Sequence, residues 1–348
     1  MRIMWLTVAI AVCAAVAASA GSAARTAQVT VVASGLEHPQ GIAFASDGSF
    51  YVTEMGTGGD SCYDEPDFIG FGPLGPACYG QTGAVTRIRN GQKTRVVTGL
   101  FSIGVFDGAV VTGPTSVAVR NGGGLLVTMM ARSGCRSTDI YPWWARAQLG
   151  KLLSTQDGRH TRVVADLNAF ECKENPDGGD RSSYPSAVLA AGDDVYVSDA
   201  GGESVLGLEG SELTTLGVTP GFGPFPLAIG PRGNLYVGVC NCDGEGKVFR
   251  VKPPNSPAEV AGGFGWITGL AFGGDGSFYV VSEHFDPNDP TVAHGDIVRI
   301  AADGTRTTLL PQGTLEWPGQ AAWGPDGALY VVNHAQFAPA GEVVRIKP

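Results

Sequence analysis

The sequence carries little positive charge. Its 23 Lys and Arg residues face 33 Asp and Glu residues, which gives a formal net charge of -10 at pH 7. A chain that binds nucleic acid or an anionic membrane surface needs basic side chains to neutralise phosphate, so the charge balance argues against both partners. Cations and neutral ligands fit this composition better.

The sequence also lacks a second long apolar run after its N-terminus. The first residues combine Arg2, an apolar stretch at 3–17 and small residues at 18–20. This order is that of a secretory signal peptide, whereas a membrane anchor is longer and is followed by a stop-transfer pattern. We therefore predict a signal peptide over residues 1–20, a mature chain that begins near Gly21, and no membrane span in the mature protein. The predicted location is the periplasm or the extracellular space.

No two cysteines have the two-residue spacing of a structural zinc site. Cys13 lies in the predicted signal peptide and follows Val12, which is too large for a bacterial lipoprotein cleavage site, so we expect it to be removed with the signal. An even number of cysteines remains, which in an exported chain favours disulfide bonds. These residues are Cys62, Cys78, Cys135, Cys172, Cys240 and Cys242.

The spacing of the cysteines suggests how some of them pair. Cys62 and Cys78 lie within one insertion, so a bridge that closes this loop is the first choice. Cys135 and Cys172 lie in loops of neighbouring repeats and are expected to join them. Only one residue separates Cys240 from Cys242, and a disulfide across that gap is strained, so a structural clip and a redox role both remain open for this pair.

Candidate amphipathic helices are few, whereas Gly (52 residues) and Pro (22 residues) are abundant. Because 43% of the residues are hydrophobic, the chain can still form a core, and the composition indicates short strands and tight turns rather than disorder. One phrase recurs along the chain. "GIAFASDGSFYVTEMG" at 41–56 returns as "GLAFGGDGSFYVVSEH" at 269–284 and as "QAAWGPDGALYVVNHA" at 320–335.

The phrase has six copies, each with two apolar runs around a turn. They lie at residues 39–54, 113–129, 184–199, 225–239, 266–283 and 317–333. The turns are Asp-Gly or similar pairs, which suit two-residue hairpins, and a further hairpin follows each of the first five copies. Each unit therefore predicts a four-stranded antiparallel sheet.

The sixth unit has only three strands before the chain ends at Pro348. The segment "QVTVVASGL" at 28–36 has the pattern of a fourth strand but no hairpin partner before it. An N-terminal strand that completes the last sheet would close a ring of sheets, which favours a six-bladed β-propeller over a sandwich or a barrel. We predict a single all-β propeller domain over residues 21–348, present as a monomer.

The two faces of the predicted propeller differ. Two-residue turns dominate one face, named here the turn face. The other, the loop face, carries the longer connections, at residues 55–82, 101–113, 129–149, 168–184, 240–245 and 283–295. All six remaining cysteines and four of the five histidines fall on the loop face. Since functional residues usually lie on loops above a rigid scaffold, we predict the site on this face.

The position after the second strand of each unit is expected to point into the mouth of the central channel. In chain order it is Glu54, Met129, Asp199, Val239, Ser282 or Glu283, and Asn333. Carboxylates and an amide that converge on the axis could hold Ca²⁺, which takes oxygen ligands in flexible geometry. In the alternative interpretation these side chains cap backbone groups of the loops. Met129 and Val239 leave the ring incomplete.

Three histidines lie near the same mouth. His284 and His334 occupy equivalent positions beside the ring, and His38 lies near the start of the first unit. A histidine beside a carboxylate can serve as a general base or a metal ligand, whereas a hydrogen-bonded surface histidine does neither. The motifs "NPDGGD" at 175–180 and "DPNDP" at 286–290 lack the spacing of an EF-hand, so we interpret both as turns.

Aromatic residues gather in the insertions of the loop face. They could line an apolar pocket for an organic ligand, or form small cores beneath the long loops, and we expect both. The residues are Phe68, Phe71, Tyr79, Phe101, Phe106, Tyr141, Trp143, Trp144, Phe170, Phe222, Phe225, Phe285 and Phe337.

Several stretches together resemble the exported propellers named after ScyD and ScyE of the scytonemin biosynthesis cluster, which are relatives of NHL-repeat propellers. They are "ASGLEHPQGIAFASDGSFYVTE", "CYGQTGAVTRI", "NPDGGD" with "YPSAVLA", "LYVG", and "GPDGALYVVNHA" with "GEVVRI". The resemblance covers nearly all of the mature chain and implies a six-bladed exported propeller, but it brings no catalytic residues. The short "CNCDGEG" departs from the family's longer connection in the fourth blade.

Two functions fit the sequence. The first is a binding module whose loop face holds a small molecule, a glycan or a protein, with Glu54, Asp199, Asn333 and His38 as ligand-binding candidates. The second is a metal-assisted hydrolase or lyase like the calcium-dependent lactonases and streptogramin lyase of related propellers, an analogy of fold alone. It would use Ca²⁺ held by Glu54, Asp199, Glu283 or Asn333, with His284 or His334 as base. The incomplete ring favours the binding module, and whether the chain is an enzyme stays open.

Overall fold

Strands form most of the regular structure in this protein, which is described by a computed structural model. The structure describes residues 27–64, 75–130, 133–135, 141–241, 244–252, 255–338 and 340–348. The predicted signal peptide, Cys242, Phe68 and Phe71 lie outside these ranges. Within the described part of the chain, no helix combines the length and the hydrophobicity needed to cross a membrane.

Within the described residues, antiparallel strands build six larger sheets, numbered here in chain order, and one small two-stranded sheet. The first strand of the chain is β1 (Gln28–Leu36). Sheet 1 contains β2 (Pro39–Phe44), β3 (Phe50–Glu54), β4 (Ser61–Asp64), β5 (Pro76–Arg89), β6 (Gln92–Val105) and β7 (Val110–Thr112). Sheet 2 contains β8 (Pro114–Val119), β9 (Leu125–Met129), β11 (Lys151–Thr155) and β12 (Arg162–Asp166). A small sheet pairs β10 (Ser133–Gly134) with β13 (Ser182–Ser183).

The second half of the chain repeats the four-stranded pattern. Sheet 3 contains β14 (Pro185–Ala191), β15 (Asp194–Asp199), β16 (Ser204–Glu209) and β17 (Glu212–Val218). Sheet 4 contains β18 (Gly223–Ile229), β19 (Leu235–Cys240), β20 (Gly246–Lys252) and β21 (Asn255–Phe264). Sheet 5 contains β22 (Trp266–Phe272), β23 (Phe278–Asp286), β24 (Asp289–Ile300) and β25 (Arg306–Glu316). Sheet 6 contains β26 (Ala321–Trp323), β27 (Leu329–Asn333), β28 (Gly341–Lys347) and β1.

The chain's first and last strands belong to the same sheet. β1 pairs antiparallel with β28, with Val31 opposite Val344. Along the chain, the first strand of each sheet also contacts the first strand of the next, from β2 through β8, β14, β18 and β22 to β26, and β26 contacts β2 again. Each of these first strands therefore lies beside the first strands of two other sheets.

The tight turns follow the sequence pattern. The hairpin between β2 and β3 turns at Gly48 with φ 80, and the hairpin between β22 and β23 turns at Gly276 with φ 78, which is the left-handed conformation that glycine adopts without strain. Side chains along a strand alternate between the two surfaces of the sheet, and both surfaces are buried. In β23, Val280 packs with residues of sheet 4, whereas Val281 packs with residues of sheet 6. Neighbouring sheets are thus held together by apolar layers.

The loop face contains the elements that do not fit the four-stranded pattern. Two helices lie there, α1 (Trp143–Arg146) and α2 (Leu167–Glu174), together with a 3-10 turn at Phe106–Gly108. A second 3-10 turn, Pro231–Gly233, forms the hairpin between β18 and β19 on the turn face. The insertions at 55–82 and 101–113 are partly strand rather than loop, since β5 and β6 extend beyond the blade with Cys78 opposite Gly104.

Aromatic rings pack on the extended hairpin of β5 and β6 and account for its presence. Tyr79 of β5 and Phe101 of β6 contact Tyr141 and Trp144, with ring centroids 5.3 to 6.4 Å apart. The cluster packs against the core of sheets 1 and 2. These aromatic residues therefore form a loop core, one of the two roles expected from the sequence.

Two disulfide bonds join cysteines of the described residues. Cys62 of β4 is bonded to Cys78 of β5, and Cys135 is bonded to Cys172 of α2. These are the two pairings that the sequence favours, and disulfides of this kind are typical of periplasmic and extracellular proteins. Cys240 is buried at the end of β19. Its predicted pairing with Cys242 stays a prediction, because Cys242 lies outside the described residues.

Candidate functional site

The residues at the ends of the second strands share one structural role in three of the sheets. In each case a side-chain oxygen accepts a hydrogen bond from a backbone amide in the segment that leads into the first strand of the same sheet. The pairs are Glu37 N to Glu54 (2.7 Å), Tyr184 N to Asp199 (2.6 Å) and Glu316 N to Asn333 (2.9 Å). This is the capping role that the sequence left as an alternative to a metal ring.

Glu54 is held by the outer strands of its own sheet. Its carboxylate accepts hydrogen bonds from Thr86 of β5 and from Arg95 of β6, with Arg95 Nη2 3.1 Å from Glu54 Oε2. Burial acts to raise the pKa of Glu54, but the bonds from Arg95, Thr86 and the Glu37 amide outweigh it and hold the pKa below its ordinary value. The carboxylate is therefore ionised and neutralised by Arg95, instead of meeting other carboxylates at the axis as expected.

Asp199 is almost completely buried and accepts four hydrogen bonds. Oδ2 accepts from the Ser183 hydroxyl at 2.6 Å, and Oδ1 accepts from the amides of Tyr184, Gly201 and Gly202. Burial raises the pKa of Asp199 even though these bonds act in the opposite direction. Asp199 thus organises the loop after β15 and the segment before β14.

Glu283 lies at the equivalent position in sheet 5 but has no such partners. Its side chain is 8% exposed and lies opposite Trp266 of β22. No hydrogen bond to the Glu283 carboxyl is present among the described residues, and burial alone raises its pKa to about 8. The carboxyl group is therefore mostly protonated at neutral pH.

The structure does not gather the predicted metal ligands around one point. Among the residues described, no three His, Cys, Asp or Glu side chains lie close enough together to hold a metal ion. Glu54, Asp199 and Asn333 are hydrogen-bonded to backbone amides, to Arg95 and to Ser183. Calcium binding by these strand-end residues stays a prediction.

The three candidate histidines have different partners. His38 donates from Nδ1 to the Gly56 carbonyl oxygen at 2.8 Å, and burial lowers its pKa, so its imidazole is neutral at pH 7. His284 Nε2 lies 3.5 Å from Asp296 Oδ1, which also accepts from Ser282. His334 Nε2 lies 4.0 Å from Glu316 Oε2. No two of the three share a carboxylate partner in the described structure.

A curved row of aromatic rings runs along the loop face, named here the aromatic arc. Successive ring centroids lie 5.0 to 6.2 Å apart. In order, the rings belong to Tyr184, Phe225, Trp266, Phe285, Trp317, Phe337 and Phe106. Each ring remains at least partly exposed, with Phe285 41% and Phe106 44% accessible. The arc lies at the starts of first strands and in the connections that follow second and fourth strands.

Glu283 borders this arc. It lies directly across from Trp266 and two residues before Phe285, so all three side chains project from the same face of sheet 5. The rings of Trp266 and Phe285 are 6.0 Å apart. The arc therefore offers flat apolar surfaces beside one protonated carboxyl group.

Gln320 crosses the central channel. Its Oε1 accepts from the Ser116 hydroxyl of β8 at 2.9 Å, and its Nε2 donates to the Ser186 carbonyl oxygen of β14 at 3.1 Å. A cavity lies between the six first strands, and its lining includes Ile42, Leu270, Trp323 and Gln320 itself.

No protein-family model matches the chain, and no curated protein is similar to it in sequence. Solved structures are similar in fold. A gluconolactonase from Xanthomonas campestris is 12% identical with a TM-score of 0.55, over 92% of this chain and 89% of that chain. The aldose sugar dehydrogenase of Streptomyces coelicolor in its PQQ-bound form is 12% identical with a TM-score of 0.53, over 92% and 98%. Virginiamycin B lyase from Staphylococcus aureus is 10% identical with a TM-score of 0.50, over 92% and 99%.

The fold is a β-propeller. At these levels of identity the likeness extends to the fold alone, and the chemistry of the three neighbours is not transferred by it. The repeated four-stranded antiparallel sheets and the contacts among their first strands agree with this assignment.

The sequence prediction missed three rings of the arc, Tyr184, Trp266 and Trp317. They lie at or just before the first strands of their sheets, inside the repeated phrase, and not in the insertions where aromatic residues were expected to gather. The sequence signal for these rings is an aromatic residue at the start of several copies of the repeated phrase. Alignment of the copies on that position, rather than on the "YV" strand, would have found them.

Proposed function

We propose that the protein is an exported binding module that holds a small molecule with a flat ring against the aromatic arc. The observation that carries the proposal is the row of seven partly exposed rings in consecutive contact. Flat rings stack on aromatic faces, and rigid aromatic side chains lose little conformational entropy when a ligand binds. Glu283, as a protonated carboxyl, supplies a hydrogen-bond donor beside the stack.

A neutral fluorescent naphthalene dye, prodan, tests this proposal. In the full-length mature chain we expect its emission to shift to the blue on binding. Trp266→Ala and Trp317→Ala should each weaken the binding about fivefold or more, because each removes a stacking surface. Trp143→Ala is the matched control, since Trp143 is 76% exposed and lies outside the arc. Equal weakening in all three variants, or no shift in the wild type, would argue against the arc as the site.

The proposal includes the architecture suggested by the resemblance to the ScyD/ScyE propellers. In it, the six sheets are six blades, β1 closes the ring, and residues 21–348 form one monomeric domain after removal of residues 1–20. Support comes from the pairing of β1 with β28 and from the contact between β26 and β2. Deletion of residues 341–348 removes β28 and leaves the edges of β1 and β27 unpaired, so this truncation should aggregate. A truncated protein that stays monomeric with an unchanged melting temperature would contradict closure.

A second function, hydrolase or lyase, is favoured by one observation. A carboxyl group with a raised pKa in an apolar setting is the usual form of a general acid, and Glu283 is such a group. Two of the similar structures are a gluconolactonase and a lyase. Turnover of a simple lactone by the wild type, with Glu283→Gln inactive but still able to bind prodan, would replace the binding module by this function.

A further inference from the structure

Glu171 of α2 is a buried carboxylate beside a second one. The residue is 1% exposed, and a Cβ atom at Gly202 would overlap Glu171 Oε2, so the carboxylate lies directly on the Gly201–Gly202 backbone. Gly202 N also donates to Asp199. Burial, and then the negative charge of Asp199, raise the pKa of Glu171 to about 7. Two carboxylates therefore meet at Gly202.

Positive charge from the described residues is not placed to neutralise this pair. The cationic side chain that acts on Glu171 is Arg181, and its guanidinium donates to the Cys172 carbonyl oxygen. Asp177 adds further negative charge. An ionised Glu171 in this position calls for a cation, because a buried carboxylate without a partner is costly.

Neutral oxygens around Glu171 also lack partners. Ser204 is 1% exposed and lies directly opposite Asp199 in the pairing of β15 with β16, so both side chains project from the same face of sheet 3. Asn175 is the C-cap of α2, where its backbone amide donates to the Glu171 carbonyl oxygen and its Nδ2 donates to the Gly179 carbonyl oxygen. Glu171 Oε1, Ser204 Oγ and Asn175 Oδ1 are all buried without a hydrogen-bond partner in the described structure.

The donors are all oxygens. Two carboxylates, one amide carbonyl and one hydroxyl are the hard ligands that Ca²⁺ takes, and there is no imidazole or thiolate in the group to favour a softer metal. Asp199 Oδ2 accepts one hydrogen bond, from Ser183, and so keeps a lone pair for a cation. The disulfide between Cys135 and Cys172 ties α2, the helix of Glu171, to the connection that follows β9.

We infer that Glu171, Asp199, Asn175 and Ser204 form a calcium site between α2 and sheet 3. The site lies beside the blade and not on the propeller axis, and it differs from the expected ring of strand-end residues in using α2. It is independent of the aromatic arc and of any ligand bound there. Bound calcium would fix the segment from α2 to β14, which includes the "NPDGGD" turn.

Calcium and terbium ions applied to the full-length mature chain test this inference. After chelator treatment, addition of Ca²⁺ should raise the melting temperature, because a ligand that binds only the folded state stabilises it. Tb³⁺ replaces Ca²⁺ in oxygen sites, and the Tyr184 ring, whose backbone amide bonds Asp199, should sensitise its luminescence. Ca²⁺ should then displace Tb³⁺.

The variants locate the site. Glu171→Gln keeps the shape of the side chain and should abolish both responses, while Ser204→Ala removes one neutral ligand and should weaken calcium affinity about tenfold. Glu283→Gln and Glu54→Gln are the controls, since both alter buried strand-end carboxyls of other sheets, and both should keep the full response. If the Glu171→Gln variant fails to fold, the Ser204→Ala variant still tests the site.

Two results would overturn the inference. One is a wild-type protein with no calcium-dependent melting shift and no terbium luminescence, which would mean that water fills the space around Glu171. The other is a calcium response that survives in Glu171→Gln and Ser204→Ala but is lost in Glu54→Gln or Glu283→Gln, which would place the ion at the axis.

Discussion

Asp199 and Glu283 occupy equivalent positions in sheets 3 and 5 and have opposite surroundings. Asp199 lies opposite Pro185 and accepts hydrogen bonds from three amides and a hydroxyl, whereas Glu283 lies opposite Trp266 and accepts none from the described residues. The repeat thus places a carboxyl group at the same position of two sheets. The two groups have different roles because their neighbouring residues differ. Where loop amides converge on it, the carboxyl organises the backbone and belongs to the proposed calcium site; where aromatic rings lie beside it, the carboxyl is offered to an organic ligand.

The largest effect should come from Asp199→Ala. The change leaves three backbone amides and the Ser183 hydroxyl without their acceptor in a buried place, at a cost of about 4 kcal/mol in the free energy of unfolding. Chemical denaturation in the presence of chelator measures it. Asp199→Asn keeps an oxygen for the amides and is the matched control, with a smaller loss. An Ala variant as stable as the Asn variant would mean that these hydrogen bonds contribute little.

The next effect is a pH dependence that arises at Glu283. Its pKa is raised from an ordinary value of 4.5 to about 8 in the folded protein, so between these pH values the folded state holds a proton that the unfolded state has lost. Stability should therefore fall as pH rises through this window, by roughly 2 to 4 kcal/mol, and level off above it. Denaturation midpoints at pH 5, 6.5 and 8 measure the slope.

Glu283→Gln cannot titrate and should remove this part of the slope. Glu171, whose pKa is raised to about 7, and Asp199, whose pKa is also raised, contribute declines of the same sign, so the part due to Glu283 is the difference between wild type and Glu283→Gln, and it is measured between pH 7 and 8. A Gln variant with the same decline as the wild type between pH 7 and 8 would show that Glu283 is already ionised in the folded protein.

The fold could be predicted from the sequence because its signals are local. An Asp-Gly turn between two apolar runs specifies a hairpin without reference to distant residues, and Gly48 and Gly276 adopt the expected positive φ. Six repeats of that signal led to the prediction of four-stranded sheets. The pairing of Cys62 with Cys78 was also accessible, since both cysteines lie in one insertion.

The site could be predicted only in part, because its chemistry depends on residues distant in sequence. The strand-end position of Glu54 was identified, but its pairing with Arg95 joins residues 41 apart in the chain and turns a metal ligand candidate into a structural ion pair. Nothing local marks Glu171, which becomes notable only when α2 places it against Gly202. The periodic sequence pattern therefore predicts where a side chain lies in the fold, but the role of the side chain depends on the residues that contact it.

Glu54→Ala should have an intermediate effect, of about 2 kcal/mol. The change removes the acceptor for the Glu37 amide and for Thr86, but Arg95 is 42% exposed and keeps an ion pair with Glu37 at 2.8 Å, so it is not left buried and uncompensated. Thermal or urea unfolding gives the number, with Glu37→Ala as the control that removes only the exposed partner. A loss as large as that of Asp199→Ala would contradict the ranking.

The smallest effect belongs to Asn333, whose own side chain carries no charge. Oδ1 accepts from the Glu316 amide and Nδ2 donates to Glu342 Oε1 at 3.0 Å, so Asn333→Ala should cost about 1 kcal/mol. Asn333→Asp keeps the acceptor but places a carboxylate against Glu342. Like charges at this distance repel, so the Asp variant should be less stable than wild type and should recover when Glu342→Gln is added to it. Unfolding of wild type, Asn333→Asp and the Asn333→Asp/Glu342→Gln double variant separates the roles: a double variant as unstable as Asn333→Asp would mean that the loss lies in packing, and that the strand-end position tolerates only an amide in sheet 6.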